Sequence, residues 1–162
     1  MESISRSKLI SQWKELKKHP PKDYLVKLTK TSSDTRNFFK WELKIPGPKG
    51  SPWEGGVYKI IMSFPEEYPI LPPKCVFNPP LFHPNIYPSG TICSNILNAE
   101  LDWNKSIKID EIVSGIKDLL AHPNLNSPAN ESAYLCMKED EEEYKRIARK
   151  EARKFFPGER VA

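Results

Sequence analysis

At 162 residues, with 38% hydrophobic and 28% charged residues, the chain is sized and composed for one globular domain, residues 1–162, with its own core. The net charge of +4 is mild, no run approaches the ~18 apolar residues of a membrane span, and Met1–Arg6 lacks the apolar stretch of a signal peptide. Cys75, Cys93 and Cys136 are odd in number, far apart and free of any Cys-x-x-Cys pair, which argues against a disulfide framework or a zinc site and for a reducing compartment, cytoplasm or nucleus.

Leu9, Trp13 and Leu16 recur at helical spacing among lysines, so the spacing predicts an amphipathic helix over residues ~3–18, ended by His19-Pro20-Pro21. Residues 1–40 hold ten Lys/Arg against four acids, a basic face suited to an acidic partner surface and weakened by salt. No aromatic platform interleaves these lysines, so direct nucleic-acid binding is not expected. Tyr24–Thr29, Phe38–Ile45 and Val57–Phe64 are short runs rich in aromatic and β-branched residues. In the second, Phe39, Trp41, Leu43 and Ile45 alternate with polar residues, as a half-buried strand requires. Thr31–Thr35 and Pro46-Gly47-Pro48-Lys49-Gly50 supply turns, and Lys74–Phe77 reads as a fourth strand, giving an antiparallel meander with helices on one side.

From Asn78 to Trp103 periodicity disappears under prolines 79, 80, 84 and 88, the pattern of a long ordered loop with a functional role. Pro69 and Pro73 are candidates for cis peptide bonds. A buried helical stripe returns at Ile109, Ile112, Val113, Ile116, Leu119 and Leu120, with Asp110 and Glu111 in the first turn, where the helix dipole favours acids. A short helix over ~130–136 and a last one from about Glu139 to Phe155 follow, the latter with Glu141/Lys145 and Glu142/Arg146 at i,i+4.

The chemistry concentrates in His83-Pro84-Asn85-Ile86-Tyr87-Pro88-Ser89-Gly90-Thr91-Ile92-Cys93. A thiol is strongly nucleophilic, with a few per cent ionised near neutral pH, and an asparagine amide offers two N–H donors without charge. Held near the sulfur, that amide would stabilise the oxyanion of an acyl transfer. Cys75 in an apolar strand and Cys136 in a helix read as small buried hydrophobes, which leaves Cys93 on its proline-constrained loop as the nucleophile. His83 reads as a structural hydrogen-bonder rather than a base, and no acid lies near Cys93 to complete a protease-like triad.

Tyr68-Pro69, Pro72-Pro73-Lys74, Phe82-His83-Pro84-Asn85, Gly90-Thr91-Ile92-Cys93, Ile96-Leu97 and Trp103 together resemble the ubiquitin-conjugating enzyme superfamily over essentially the whole chain. Pro52-Trp53-Glu54-Gly55-Gly56, the His83–Thr91 segment, the basic first helix and the ten-residue interval from Cys93 to Trp103, two longer than in most ubiquitin carriers, resemble its SUMO-conjugating branch. The resemblance implies an α+β fold: a four-stranded antiparallel meander with an N-terminal helix, a central helix and two C-terminal helices. It implies that Cys93 accepts SUMO or a related ubiquitin-like modifier as a thioester from a heterodimeric activating enzyme and passes it to substrate lysines, with SUMO ligases as further partners. Asn85 is then the oxyanion donor or a brace for its loop. Tyr87 and Ser127 flank the incoming lysine, and desolvation there lowers the amine pKa. Lys74, Ser89 and Thr91, with Pro128 and Ala129, are implied to hold the substrate, the first three taking the acid of a hydrophobic-Lys-x-Glu acceptor motif. Lys14, Lys17, Lys18 and His19 are implied to contact the modifier and the activating enzyme. No cofactor or metal is expected, since ATP is consumed by the activating enzyme, and no membrane is involved.

The chain departs from the family pattern at Ser127, where an aspartate is usual, and at Trp13, Leu101 and Glu131, where a basic residue, a lysine and an alanine are usual. Ser94-Asn95 replaces the common Leu-Ser after the cysteine. The competing readings are a ubiquitin carrier, a non-catalytic modifier-binding module of the same fold, and a nucleic-acid binder resting only on the N-terminal lysines.

Overall fold

The computed structural model describes residues 3–158, so the ends of the expected 1–162 domain lie outside the described residues. Helix α1 spans Ile4–Lys18: the Ser3 hydroxyl caps it by accepting the Arg6 N–H at 3.1 Å, and basic Lys17 and Lys18 complement its C-terminal dipole. Leu9 and Trp13 face inward, and Trp13 meets Trp41 edge-on at 5.7 Å. Trp13 is thus a core residue, with the Lys17 ammonium over its ring at 5.3 Å, rather than part of the basic face.

Strands β1 (Leu25–Lys30), β2 (Arg36–Pro46), β3 (Val57–Ser63) and β4 (Lys74–Phe77) form an antiparallel sheet in sequence order, the expected meander. Trp41, Leu43 and Ile45 of β2 and Tyr58, Ile60 and Met62 of β3 alternate into the core, opposite partners in a register that runs from Lys40/Ser63 to Pro46/Val57. On the outer face an ion-pair ladder crosses the sheet: Glu42 takes Lys27 at 3.2 Å and Lys59 at 3.6 Å from the neighbouring strands. A bulge at Leu28/Thr29 shifts the β1–β2 register, and the Thr29 hydroxyl there donates to the Lys40 carbonyl at 2.8 Å.

Helix α2 (Ile109–Ala121) buries the predicted stripe, of which Leu119 alone is only partly covered. The Glu111 carboxylate caps its start by accepting the Lys108 N–H at 3.2 Å, and the Tyr24 hydroxyl donates to Asp110, tying the β1 approach to α2. Helix α3 runs over Glu131–Glu139 and α4 over Glu141–Ala152, followed by a 3-10 turn Arg153–Phe155. The break falls at Asp140 rather than before Glu139, because the Asp140 carboxylate accepts the Glu143 N–H at 3.1 Å and starts a new helix. Glu141 pairs with Lys145 at 3.6 Å as expected, but Arg146 grips Glu143 through two bonds of 2.7 and 2.8 Å instead of Glu142, since the i,i+3 geometry permits a bidentate contact. The cis peptide bonds are Tyr68–Pro69, one of the two candidates, and Asn78–Pro79; Pro73 is not cis.

The chain returns to the sheet after β4. Phe77 N–H donates to Gly90 O at 2.8 Å and Ile92 N–H to Cys75 O at 2.9 Å, so residues 90–92 lie alongside β4. The turn into this edge has Pro88 second and closes through Gly90 N–H to Tyr87 O at 2.7 Å. Gly90 has φ 94°, and a Cβ there would stand 2.2 Å from the Phe77 carbonyl oxygen. Gly50, with φ 81°, has open space around its missing Cβ. Gly50→Ala is therefore expected to cost only the left-handed penalty of about 1–2 kcal/mol. Gly90→Ala must also displace backbone, and a loss of roughly 3 kcal/mol or more is expected in urea unfolding followed by tryptophan fluorescence. Equal losses for the two variants would contradict this packing.

Candidate active site

Three backbone segments converge on Cys93, and each is held by a named bond. The first is the edge just described, which ends in the cysteine: Cys93 N–H donates to Asn85 O at 2.9 Å, and Tyr87 N–H to Thr91 O at 2.9 Å. The second is His83–Ile86, buried despite its polar residues, with His83, Asn85 and Ile86 all fully covered. The third is the connection from α2 to α3, residues 122–130, whose Ala129 and Asn130 N–H groups both donate to Pro84 O, at 2.7 and 3.1 Å.

Asn85 joins the second segment to the third. Its Nδ2 donates to Asn124 O at 2.7 Å and to Ser127 O at 2.9 Å, while its Oδ1 accepts the Asn124 N–H at 2.8 Å. Both donors are thus spent on carbonyls, and the amide is fully buried. Of the two roles expected for it, the geometry supplies the brace; service to an oxyanion requires release of a carbonyl first.

His83 is also structural. Its Nδ1 accepts the Asn85 N–H at 2.9 Å, which puts the ring proton on Nε2, and Nε2–H donates to Leu119 O at 2.8 Å. Burial lowers its pKa to about 4, outweighing the opposing effect of the Leu119 carbonyl. The ring stays neutral with both nitrogens occupied and has no free lone pair for a base. The preceding residue is fixed from the far helix: Phe82 N–H donates to the Glu151 carboxylate of α4 at 3.2 Å, and burial raises the pKa of that carboxyl.

All three cysteines are free. Cys75 is sealed inside, and burial pushes its thiol up to about 12. Cys136 is raised too, by desolvation first and then by Glu143, Asp140 and Glu139. Cys93 is half-buried at the end of the shelf, ahead of a 3-10 turn Asn95–Leu97. That turn is held from both ends: Asp102 N–H donates to Asn95 O at 3.1 Å and Trp103 N–H to Asn98 O at 3.2 Å. The Trp103 indole donates to Pro69 O and Ile70 O at 3.1 and 3.2 Å, and its ring lies 6.2 Å from Tyr68, whose hydroxyl exchanges hydrogen bonds with Gln12 of α1.

The exposed groups on these segments differ in character. Tyr87 is 43% exposed. Ser89 and Thr91 share a hydroxyl–hydroxyl bond of 2.9 Å, and Lys74, exposed at the start of β4, lines with Thr91 a groove of ≈250 Å³ whose other walls include Pro72, Pro73, Ile92 and Leu97. Opposite stand Ser127, exposed Pro128 and half-buried Ala129. The sequence-predicted residues Asn85, Tyr87, Ser89, Thr91, Cys93 and Ser127–Ala129 are therefore gathered by three adjoining segments. Lys14, Lys17, Lys18 and His19 are exposed on α1 and its C-cap, away from these loops, where His19 approaches Glu15 at 3.9 Å. Asn124, Glu151, Gln12 and the Pro84 carbonyl were not foreseen, since their bonds involve backbone or distant helices that leave no local pattern. Among the described residues no group of three or more His, Cys, Asp or Glu is arranged to hold a metal ion.

The sequence profile of the ubiquitin-conjugating enzyme family matches residues 8–152. The chain is 44% identical over 155 residues to a protein of Caenorhabditis elegans called SUMO-conjugating enzyme UBC9, covering 96% of this chain and 93% of the relative. It is 38% identical over 157 residues to Sumo-conjugating enzyme ubc9 of Dictyostelium discoideum, covering 97% and 99%.

The His83 geometry sets a pH dependence. Its folded pKa lies below the ordinary 6.5, so between 6.5 and about 4 the unfolded chain binds a proton that the folded one refuses. The contribution is complete above pH 6.5 and is lost as pH falls toward 4, at most roughly 3 kcal/mol. In urea unfolding from pH 7 to 4.5, His83→Gln should be less stable at pH 7 and decline less steeply than the native chain. Parallel declines would show that His83 is not held neutral.

Proposed function

The chain belongs to the ubiquitin-conjugating enzyme family, and from that premise we propose that it conjugates SUMO, with Cys93 as the residue that carries the modifier. The observation that supports Cys93 is its place: a half-buried thiol at the end of a sheet-tied shelf, while Cys75 is sealed and Cys136 sits beside carboxylates. Near full-length similarity to two SUMO-conjugating enzymes supports the choice of modifier.

In the first half-reaction the Cys93 thiolate attacks the carbonyl of the SUMO C-terminal glycyl group, itself a thioester on a heterodimeric activating enzyme, and displaces that enzyme's thiol. In the second, the neutral amine of a substrate lysine attacks the Cys93 thioester. The C–N bond forms, the C–S bond breaks, Cys93 leaves as thiolate and the nitrogen sheds a proton. Tyr87 and Ser127 flank the amine, and with no carboxylate at 127 its deprotonation rests on desolvation by this rim. Asn85 keeps the 124–127 connection at a fixed distance from the shelf, so the amine approaches along one path. Lys74, Ser89 and Thr91 receive an acidic group of the substrate, and Pro128 and Ala129 its apolar part.

The exposed lysines of α1 with His19 serve SUMO and the activating enzyme, whose acidic surfaces they attract from a distance. SUMO ligases and lysine-bearing proteins are the remaining partners. The chain needs no cofactor of its own, ATP being used by the activating enzyme, and it works in nucleus and cytoplasm.

Incubation with ATP, SUMO and the SUMO-activating enzyme should give a thiol-sensitive adduct of the native chain. Cys93→Ser should give a thiol-resistant oxyester, and Cys93→Ala no adduct. A reducible adduct on Cys93→Ala would move the acceptor to another cysteine. Charging by ubiquitin and its activating enzyme in preference to SUMO would overturn the choice of modifier.

A further inference from the structure

Hydrogen bonds fix the order of the backbone strips around Cys93. Residues 90–92 lie against β4 through Phe77 N–H to Gly90 O and Ile92 N–H to Cys75 O. On their other side Ile86 bridges Ile92, and Cys93 N–H donates to Asn85 O. Beyond that segment comes the connection from α2 to α3, held by the Asn85 amide and by Pro84 O, which takes the N–H groups of Ala129 and Asn130. The order across the site is therefore β4, the edge ending in Cys93, the His83–Ile86 segment and the 122–130 connection. Cys93 stands between the outer two.

Formal charge is confined to the borders of this floor. From His83 to Cys93 the chain has no acid, lysine or arginine, and the buried His83 ring is neutral. From His122 to Asn130 it again has none. Lys74 opens β4 on one border, and Glu131, the first residue of α3, follows the connection on the other. Both are exposed, and among the described residues neither side chain has an ion-pair or hydrogen-bond partner. The backbone at Glu131 is fixed from both sides: Asn130 N–H is bound to Pro84 O at 3.1 Å, and the Asn130 side chain accepts the Ala133 N–H at 3.1 Å. One cation and one carboxylate, each unpaired, thus border an uncharged strip that holds the thiol.

We propose that Glu131 is a specificity-determining residue: with Lys74 it selects acceptor lysines whose two flanks carry opposite charges, an acid on the Lys74 side and an arginine or lysine on the Glu131 side. The inference deepens the conjugating role assigned above and rests on it. In that role the acid downstream of the acceptor lysine meets Lys74, and the apolar residue before the lysine meets Pro128 and Ala129. Glu131 stands two places beyond Ala129, so it meets the second and third residues before the acceptor. A base there gains an ion pair with an otherwise unpaired carboxylate, and an acid is repelled with no cation on the connection to offset it. A carboxylate in the first turn of α3 also favours the helix dipole. That structural use acts on every substrate alike, whereas selection depends on the charge of the substrate.

The test loads the full chain with SUMO through ATP and the activating enzyme, stops loading, and follows discharge of the thioester onto three synthetic peptides below saturation. All three carry a leucine before the acceptor lysine and a glutamate two places after it. They differ only at the second and third positions before the lysine, which hold two arginines, two glutamines or two glutamates. With the native chain at low salt the arginine peptide should react fastest and the glutamate peptide slowest, roughly two- to fivefold apart, and the spread should narrow as salt is raised. Glu131→Gln should level the three rates, and Glu131→Lys should reverse their order, while loading of SUMO onto Cys93 is unchanged in both. An order that survives Glu131→Gln, no spread with the native chain, or an equal slowing on all three peptides in the variants would overturn the proposal. Failure of the native chain to form the thioester at all would instead remove the conjugating role on which it rests.

Discussion

One buried side-chain amide sets the geometry of the candidate active site. Asn85 is fully covered, and its three hydrogen bonds to Asn124 and Ser127 close the gap between the Cys93 shelf and the connection from α2 to α3. Burying an amide is unfavourable unless its polar atoms are paired, and here the pairing is supplied by main-chain groups of another segment. The bond from Cys93 N–H to Asn85 O makes the same residue the floor under the thiol. Remove the amide, and two carbonyls and one N–H lose their partner at once, so position 85 tolerates little substitution.

The surrounding structure keeps that amide in place from several directions. His83 locks the segment to the end of α2, Glu151 locks the residue before it, Phe82, to α4, and Pro84 anchors the start of α3. On the other side, Trp103, Tyr68 and Gln12 form a continuous path from the turn after Cys93 to α1. The basic residues of α1 therefore stand on an element packed into the same framework as the thiol, although they lie outside its rim. Anything docked on that helix would engage a rigid body with the shelf already built, which limits the ordering cost of association.

Much of the architecture was legible in the sequence, because period-two alternation in β2 and the Ile109–Leu120 stripe are local signals of burial. The buried face of α2 follows from the second directly, and the Lys74–Phe77 run read as a strand coincides with β4. The α3–α4 break was not legible: Glu139–Glu143 reads as one acidic helix start, and only the Asp140 side-chain cap divides it. Trp13 departs from the family pattern, but its helical spacing with Leu9 and Leu16 already marked it as apolar-face, and the helix turns it inward against Trp41. Cys93 stood out through its proline- and glycine-bound context, whereas Asn124 could not, since it meets Asn85 through its main chain. Asn85 was singled out with two roles open, because a sequence shows which donors a side chain has and not where they are already spent.

The claim that Asn85 joins the thiol shelf to the 124–127 connection is most directly tested by amide hydrogen exchange in the native chain and in Asn85→Ala. The Asn124 N–H, bound to Asn85 Oδ1 at 2.8 Å, is predicted to exchange slowly in the native protein and at nearly the rate of an open loop in the variant. The amides of α2 and of β2–β3 should remain protected in both, which separates loss of the brace from loss of the fold. Slow exchange at Asn124 that persists without the Asn85 amide, in a folded variant, would contradict the account.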